Sequence, residues 1–220
     1  MLPNLVRLAS SLAKEQKTAD PGAFTALFEA GLAEMSQGAA ISAIATSPSL
    51  ARLIVDLSDL EGSMSVLDPT CGLGTSLAHA ARRHPEAALF GQEVNALLAA
   101  LTRLRLHLLG VRCEIRVGDA LSATAQAFAP RTFDRVICDP PIGARIPKAQ
   151  QKQLASRHRL TAHTLRAETL CLLHCLEALP VGGRAVVLMP VGCLIRPTDK
   201  EVRTLLLEQG KRSAETAAIA

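Results

Sequence analysis

The stretch Ser65-Val66-Leu67-Asp68-Pro69-Thr70-Cys71-Gly72-Leu73-Gly74-Thr75 decides the fold. The short apolar run from Met64 to Leu67 predicts a buried strand, and a helical pattern resumes at about Ser76. Two glycines in the intervening turn let backbone come within contact distance of a ligand. Strand, glycine-rich turn and helix together make the first crossover of an open α/β sheet, whose ligands sit beyond the carboxyl ends of the strands. The dinucleotide fingerprint G-x-G-x-x-G is not completed, because Leu77 stands where its third glycine belongs, so nicotinamide binding is disfavoured. The acidic residue closing the strand, Asp68, suits a ligand that carries a positive charge.

Further strands follow at α/β spacing. Ala88 to Glu93 predicts the second, and Asn95 caps a helix carrying Leu97, Leu98, Leu101, Leu104 and Leu108 that closes at Gly110. Cys113, Ile115 and Val117 alternate with Glu114 and Arg116, which predicts a half-buried third strand near a sheet edge, ending in Gly118-Asp119. Arg135 to Cys138 predicts the fourth strand, which runs into Asp139-Pro140-Pro141-Ile142-Gly143. After a basic segment (Arg145, Lys148, Lys152, Arg157, Arg159, Arg166), a leucine-rich helix leads through Gly182-Gly183 to a fifth strand, Arg184 to Met189. Thr198-Asp199-Lys200-Glu201 reads as a capping box for a last helix ending at Gly210.

Upstream, residues 1–45 read as a helical segment, with Asp20 before Pro21 as a helix start and Phe24, Leu27, Phe28, Leu32 and Met35 at helical spacing. Gln37-Gly38-Ala39-Ala40 breaks that pattern, and Ser47-Pro48 starts a helix whose apolar face is read as Leu50, Leu53, Ile54, Leu57 and Leu60. The domain proper is expected over residues 46–220. The tail from Ala214 begins to look like a sixth strand, so the expectation is a sheet truncated at its C-terminal side: five parallel strands with the fifth at an edge left open or covered by a neighbouring molecule.

Composition sets outer limits. The 220 residues are enough for one well-buried domain, and 49% are apolar. Aromatics are only 2%, with no Trp and no Tyr, so Leu, Ala and Val must fill the interior. No apolar run approaches the ~20 residues of a membrane span, and the N-terminus lacks the blocks of a signal peptide. Six scattered cysteines fit reduced, buried thiols and a cytoplasmic setting better than a disulfide framework. A net charge of +4 permits a nucleic-acid partner without arguing for one.

The candidate site is a series: Asp68, Glu93, Asp119 and Asp139 each close a predicted strand. In a parallel sheet those ends share one edge, so the carboxylates converge on one crevice. Isolated acids after strands are often only caps. Four in order, the last followed by a double proline, favour a site.

On these residues the chain resembles the N-6 adenine-specific DNA methyltransferases, in particular the methylation subunit of type I restriction–modification systems. The resemblance rests on Asp68-Pro69-Thr70-Cys71-Gly72-Leu73-Gly74, Gly91-Gln92-Glu93-Val94-Asn95, Gly118-Asp119-Ala120-Leu121 and Asp139-Pro140-Pro141. Gly182-Gly183-Arg184-Ala185-Val186-Val187-Leu188-Met189-Pro190 is similar to the family's fifth strand, and Thr46-Ser47-Pro48 imperfectly matches its opening Thr-Pro pair. It implies a Rossmann-like S-adenosylmethionine-dependent fold and S-adenosylmethionine as cofactor. Glu93 then takes the ribose hydroxyls and Asp119 the adenine amino group. Asp68, Gly72 and Gly74 hold the methionine end, Thr46 takes its carboxylate, and Pro69, Cys71 and Ala120 complete the cofactor-binding set.

The same resemblance implies methylation of the N6 amino group of adenine in DNA, with Asp139, Pro140, Pro141 and Ile142 as the catalytic set. It also implies a target-recognition (specificity) subunit as partner. Ile142 departs from the family, whose aromatic at that position stacks on the flipped base. That departure keeps a catalytically weak or silent cofactor- or DNA-binding module open, and methylation of RNA or of protein glutamine is a third reading. Cys171, His174 and Cys175 share helical spacing, but no further ligand pair accompanies them, so a buried helix face is expected there and no metal. Association into a homo-oligomer stays open.

Overall fold

The computed structural model describes residues 21–37, 45–122, 127–161, 165–213 and 217–219. The expected helix start at Asp20 and the break at residues 38–40 lie outside them. Helix α1 (Pro21–Gln37) precedes α2 (Pro48–Leu57), and β1 (Ser65–Asp68) leads to α3 (Thr75–Arg83). Then come β2 (Ala88–Glu93), α4 (Ala96–Leu108), β3 (Cys113–Val117), β4 (Arg135–Cys138), α5 (Lys148–Arg157) and α6 (Ala167–Glu177). The chain continues through β5 (Arg184–Leu188), the one-turn α7 (Gly192–Ile195), α8 (Lys200–Ser213) and the short β6 (Ala217–Ile219).

All strand pairings are parallel, in the order β3-β2-β1-β4-β5-β6. The expected edge strand β3 is at the edge. At the other side the expectation of five strands is corrected: β6 pairs with β5 in the register Val186 to Ala217, so β5 is not the last strand. Strand order reverses between β1 and β4, and β1 pairs with both β2 and β4. That switch point opens a cleft beyond the carboxyl ends of β1 and β4.

The period-2 alternation of strand side chains builds two cores, one on each face. Val66, Leu89, Ile137 and Val186 face a cluster with Ile54 and Val55 of α2, Leu77 and Ala78 of α3, and Leu106 of α4. Their neighbours Leu67, Phe90, Val136 and Val187 face Phe128, Phe133, Leu154 of α5 and Leu173 of α6. Alanines 78, 80 and 81 are 0–2% exposed, so α3 lies close to the sheet where larger residues would hold it off. The other face carries the aromatic mass: Phe128 and Phe133 stack edge-to-face at 5.8 Å, and Phe90 meets Phe133 at 5.0 Å.

Three helices differ from the sequence reading. On α2 the buried face is Ala51, Ile54 and Val55, while Leu50 and Leu53 are each 40% exposed. Segment 148–157, read only as a basic stretch, is helix α5; its sparse apolar content, with Leu154 and Ala155 as its buried residues, gives little periodic signal. The last helix continues past Gly210 to Ser213, and Glu201 is drawn to the backbone N–H of Thr161 at 2.7 Å.

Phe133 is 1% exposed and is shared by the aromatic trio. Phe133→Ala is expected to lower unfolding stability by about 3–5 kcal/mol, the usual cost of a large-to-small change in a packed core. Urea denaturation checks this, and a loss below about 1 kcal/mol would show that the trio does not support that face.

Candidate active site

A crevice of about 470 Å³ lies at the switch point. Its walls include Pro69, Gly72, Glu93, Asp119, Ala120, Asp139, Pro140, Pro141 and Ile142 from the residues expected to form the site. Thr70, Leu73, Val94, Leu98, Leu121 and Ala144 join them without having been singled out. Asp68, Cys71 and Gly74 lie behind that wall: Asp68 is 4% exposed and Cys71 6%.

The turn after β1 is built for close approach. Gly72 and Gly74 have φ of +53° and +70°, the left-handed region that disfavours other residues. A Cβ at Gly72 would meet open space, whereas one at Gly74 would lie 2.5 Å from the Thr102 methyl carbon. Gly72 thus leaves room beside the crevice, and Gly74 lets the turn rest on α4. The Thr102 hydroxyl donates to the Gly72 carbonyl at 2.7 Å, and an Arg105 Nη donates to the Leu73 carbonyl at 2.9 Å.

Glu93, at the end of β2, accepts the Gly72 N–H at 3.0 Å on one oxygen and the Asn95 N–H at 2.8 Å on the other. Asn95 in turn caps α4 by accepting from the N–H groups of Leu97 and Leu98, as its sequence position predicts. Each Glu93 oxygen retains a lone pair for a ligand. Asp119 accepts the Leu121 N–H at 2.8 Å. The Gln150 side-chain amide of α5 donates to the Leu121 carbonyl at 2.6 Å and approaches the second Asp119 oxygen at 3.4 Å. Gln150 therefore braces the Asp119–Leu121 segment of the wall, a role that a single polar residue in a basic stretch does not announce.

Asp139 follows β4. The Thr70 hydroxyl donates to its carbonyl at 3.1 Å. Thr46, expected at a ligand carboxylate, has its hydroxyl bonded to the Asp139 side chain instead of standing free. Burial pushes the Asp139 carboxyl up, against the opposing pull of that Thr46 hydrogen bond. Ile142 is 59% exposed on the crevice wall, so its apolar surface faces whatever enters. The next residue, Gly143, donates its N–H to Glu168 on α6 at 3.2 Å.

Beneath this loop lie the thiols of Cys138, Cys171 and Cys175, with Cys138 hydrogen-bonded to the other two. All three are 0–1% exposed, and His174 beside them is 7% exposed. The expected helix face is therefore buried. Among the described residues no group of three or more His, Cys, Asp and Glu side chains is arranged to hold a metal ion. Nor is any helix among them long and apolar enough to cross a membrane.

Electrostatically the crevice is acidic and short of cations. Burial pushes the Asp68 carboxyl well above the usual range, and the neighbouring Cys138, Asp139 and Glu93 add to it. The one opposing contact is the Thr70 N–H, which donates to Asp68 at 3.1 Å. A buried acid of this kind favours a ligand that brings positive charge.

Residues 21–214 match the model of the N-6 DNA methylase family. A type I restriction enzyme methylase subunit of Methanocaldococcus jannaschii (MjaIX) is 27% identical over 178 residues, covering 74% of this chain and 31% of that protein. The solved type I restriction–modification methyltransferase subunit of Streptococcus thermophilus superposes with a TM-score of 0.64 at 26% identity, covering 76% of this chain and 39% of that one. A Listeria monocytogenes protein described as a class I S-adenosylmethionine-dependent methyltransferase superposes with a TM-score of 0.69 at 18% identity. It covers 90% of this chain and 64% of that one, and it attests the fold alone. The chain spans well under half the length of the two type I relatives.

The raised Asp68 carboxyl has a thermodynamic signature. Above the ordinary carboxylate range the folded chain holds a proton that the unfolded chain has released, so the unfolded state binds fewer protons and stability falls as pH rises. Asp68→Asn keeps the acceptor for Thr70 and removes the titration. The variant is expected to gain stability relative to the native protein as pH is raised from about 4 through neutrality. Urea titrations at pH 5 and 8 check the sign, and a pH-independent difference would show that Asp68 is not held up by its site.

Proposed function

This chain belongs to the N-6 DNA methylase family, and from that premise we propose that it transfers a methyl group from S-adenosylmethionine to the N6 amino group of adenine in DNA, within a restriction–modification assembly. The observation that carries the reading is the convergence of Glu93, Asp119 and Asp139-Pro140-Pro141 on one crevice at the switch point, with Asp68 buried behind its wall.

The residues fit the cofactor chemically. Glu93 has acceptor capacity left for paired ribose hydroxyls, and Asp119 for an exocyclic amine. Asp68, buried with no cationic partner among the described residues, suits the ammonium of the methionine end, and the open side of Gly72 admits its backbone. When bound, S-adenosylmethionine supplies an electrophilic methyl group on a sulfonium.

The adenine amino nitrogen is a weak nucleophile because its lone pair is delocalised into the ring. The Asp139 carboxylate and the Pro140 carbonyl, both acceptors, bind its two hydrogens and draw it toward tetrahedral geometry. Pro141 restricts the backbone of Pro140 to extended values and so aims that carbonyl. The remaining requirement is alignment of the two reactants. The base must leave the duplex to reach this depth, and Ile142 meets it with dispersion alone.

DNA backbone would run along α5. Lys148 and Lys152 are four residues apart on that helix and so share a face; both are exposed, as are Arg145 and Arg159. Arg157 is drawn off into an ion pair with Glu177 at 2.9 Å and is not part of that track. Base-sequence choice belongs to a target-recognition partner.

Calorimetry should detect S-adenosylmethionine binding, and Glu93→Ala should weaken it by about 1.5–3 kcal/mol. In methyl-transfer assays on DNA in the assembled enzyme, Asp139→Ala should abolish turnover and Ile142→Phe should raise it, since base–aromatic stacking contributes roughly 1–3 kcal/mol. Cofactor and DNA binding without transfer, in both the native protein and the Ile142→Phe variant, would favour the silent module. Replacing Lys148 and Lys152 by Gln should reduce the salt dependence of DNA binding by about two counterions.

A further inference from the structure

We propose that Glu168 is the positioning residue of the Asp139–Gly143 loop, and that Arg196 locks it in place. The inference rests on the functional reading above for its catalytic consequence, and on geometry alone for the anchor. The double proline takes two donors from the loop: Pro140 and Pro141 have no N–H, so fewer backbone hydrogen bonds can hold it and those at its ends matter more. At the near end the Thr70 hydroxyl donates to the Asp139 carbonyl at 3.1 Å. At the far end the Gly143 N–H donates to Glu168 at 3.2 Å. Gly143 itself has φ of +71°, and the Ala144 N–H closes the turn on the Pro141 carbonyl at 3.3 Å.

Glu168 is 1% exposed, so its charge needs a partner, and its other oxygen accepts from an Arg196 Nη at 3.2 Å. Arg196 lies just past α7, and its Nε stands 2.9 Å from Asp199, which accepts the Thr169 hydroxyl at 3.0 Å. Arg203 donates to the Arg196 carbonyl at 2.8 Å and to the Cys193 carbonyl at 2.9 Å, which fixes the backbone on which Arg196 sits. The network joins the loop after β4 to the segment after β5. Glu168 touches neither the crevice nor a reacting atom; it acts through Gly143 on where the Pro140 carbonyl and Ile142 stand.

The test measures the anchor and its consequence separately. Amide hydrogen exchange of the whole chain reads the loop without any need for turnover. Glu168→Ala should speed exchange in residues 142–146 by at least about tenfold while β1 and β4 keep their protection. Glu168→Gln, which retains an acceptor for Gly143, should return exchange in that segment to within about threefold of the native protein. In methyl transfer, Glu168→Ala should lower kcat by roughly 10–100-fold, as a displaced reacting group does. The calorimetric affinity for S-adenosylmethionine should stay unchanged, and Glu168→Gln should recover most of the rate.

Unchanged exchange in 142–146 overturns the proposal. So does faster exchange spread equally through the sheet, or a Gln variant as impaired as the Ala variant. A native protein that binds cofactor and DNA but transfers no methyl group removes the functional reading, and the exchange comparison then decides the anchor by itself.

Discussion

One carboxylate gathers the site. Glu93 accepts backbone N–H groups from Gly72 and Asn95 at 3.0 and 2.8 Å, and those two residues belong to the turns that follow β1 and β2. Neighbouring parallel strands emit their turns side by side, but adjacency alone does not fix the turns relative to each other. A buried anion that accepts one bond from each does, because either donor left unpaired would carry a desolvation cost of about 1–3 kcal/mol. The left-handed glycine turn, the start of α4 and one wall of the crevice are thus set by the same side chain that the functional reading assigns to ligand binding.

The acidity of the crevice is the second constraint. Asp68, Asp139 and Glu93 stand close enough that each disfavours the ionised form of Asp68, and burial of Asp68 is the larger effect. Hydrogen-bond donors in the site are mostly backbone and neutral: Thr70 for Asp68, Leu121 for Asp119, Gly72 and Asn95 for Glu93. Such a site orients acceptors without neutralising them. It favours cationic, donor-rich ligands and disfavours phosphates, in agreement with the unfinished dinucleotide fingerprint at Leu77. The basic residues meanwhile lie on α5, the helix whose Gln150 holds the Leu121 carbonyl of the crevice wall. The separation of acid crevice from basic helix suits the cationic cofactor and polyanionic substrate of the proposed reaction.

Much of this was legible because it is local. Strand positions followed from short apolar runs, and the four acids could be aligned because parallel strands end on one edge. The Asn95 cap was readable from its place between an acid and a leucine repeat. What could not be read was pairing across the chain. Nothing near Glu168 marks it as the acceptor of an amide 25 residues earlier, and Arg196 looks like one more surface cation until its partners are known. Burial on α2 was misassigned for a related reason. Leu50 and Leu53 are the larger hydrophobes, but Ala51, at 0% exposure, shares the inner face of α2 with Ile54 and Val55. Periodicity identifies an apolar stripe; it does not say which edge of the stripe the packing distance admits.

The same reasoning bears on helix α1, which as sequence carries no chemistry. Its Phe28 and Leu32 are 6% and 2% exposed, and they cluster with Leu73 of the glycine turn and with leucines of α4. Glu29 adds an ion pair to Arg105 at 2.5 Å, and Arg105 is the residue whose other nitrogen holds the Leu73 carbonyl at 2.9 Å. Arg105 is 8% exposed, so without Glu29 its charge would be nearly buried with only neutral acceptors, the carbonyl of Leu73 and the more distant Thr75 hydroxyl. Helix α1 therefore supplies both the apolar cover over Leu73 and the counter-charge for the side chain that restrains it. Leu73 lines the crevice between Gly72 and Gly74. The geometry of the glycine turn is thus determined partly by a helix that precedes it by some forty residues in sequence and has no residue among the described ones that line the crevice.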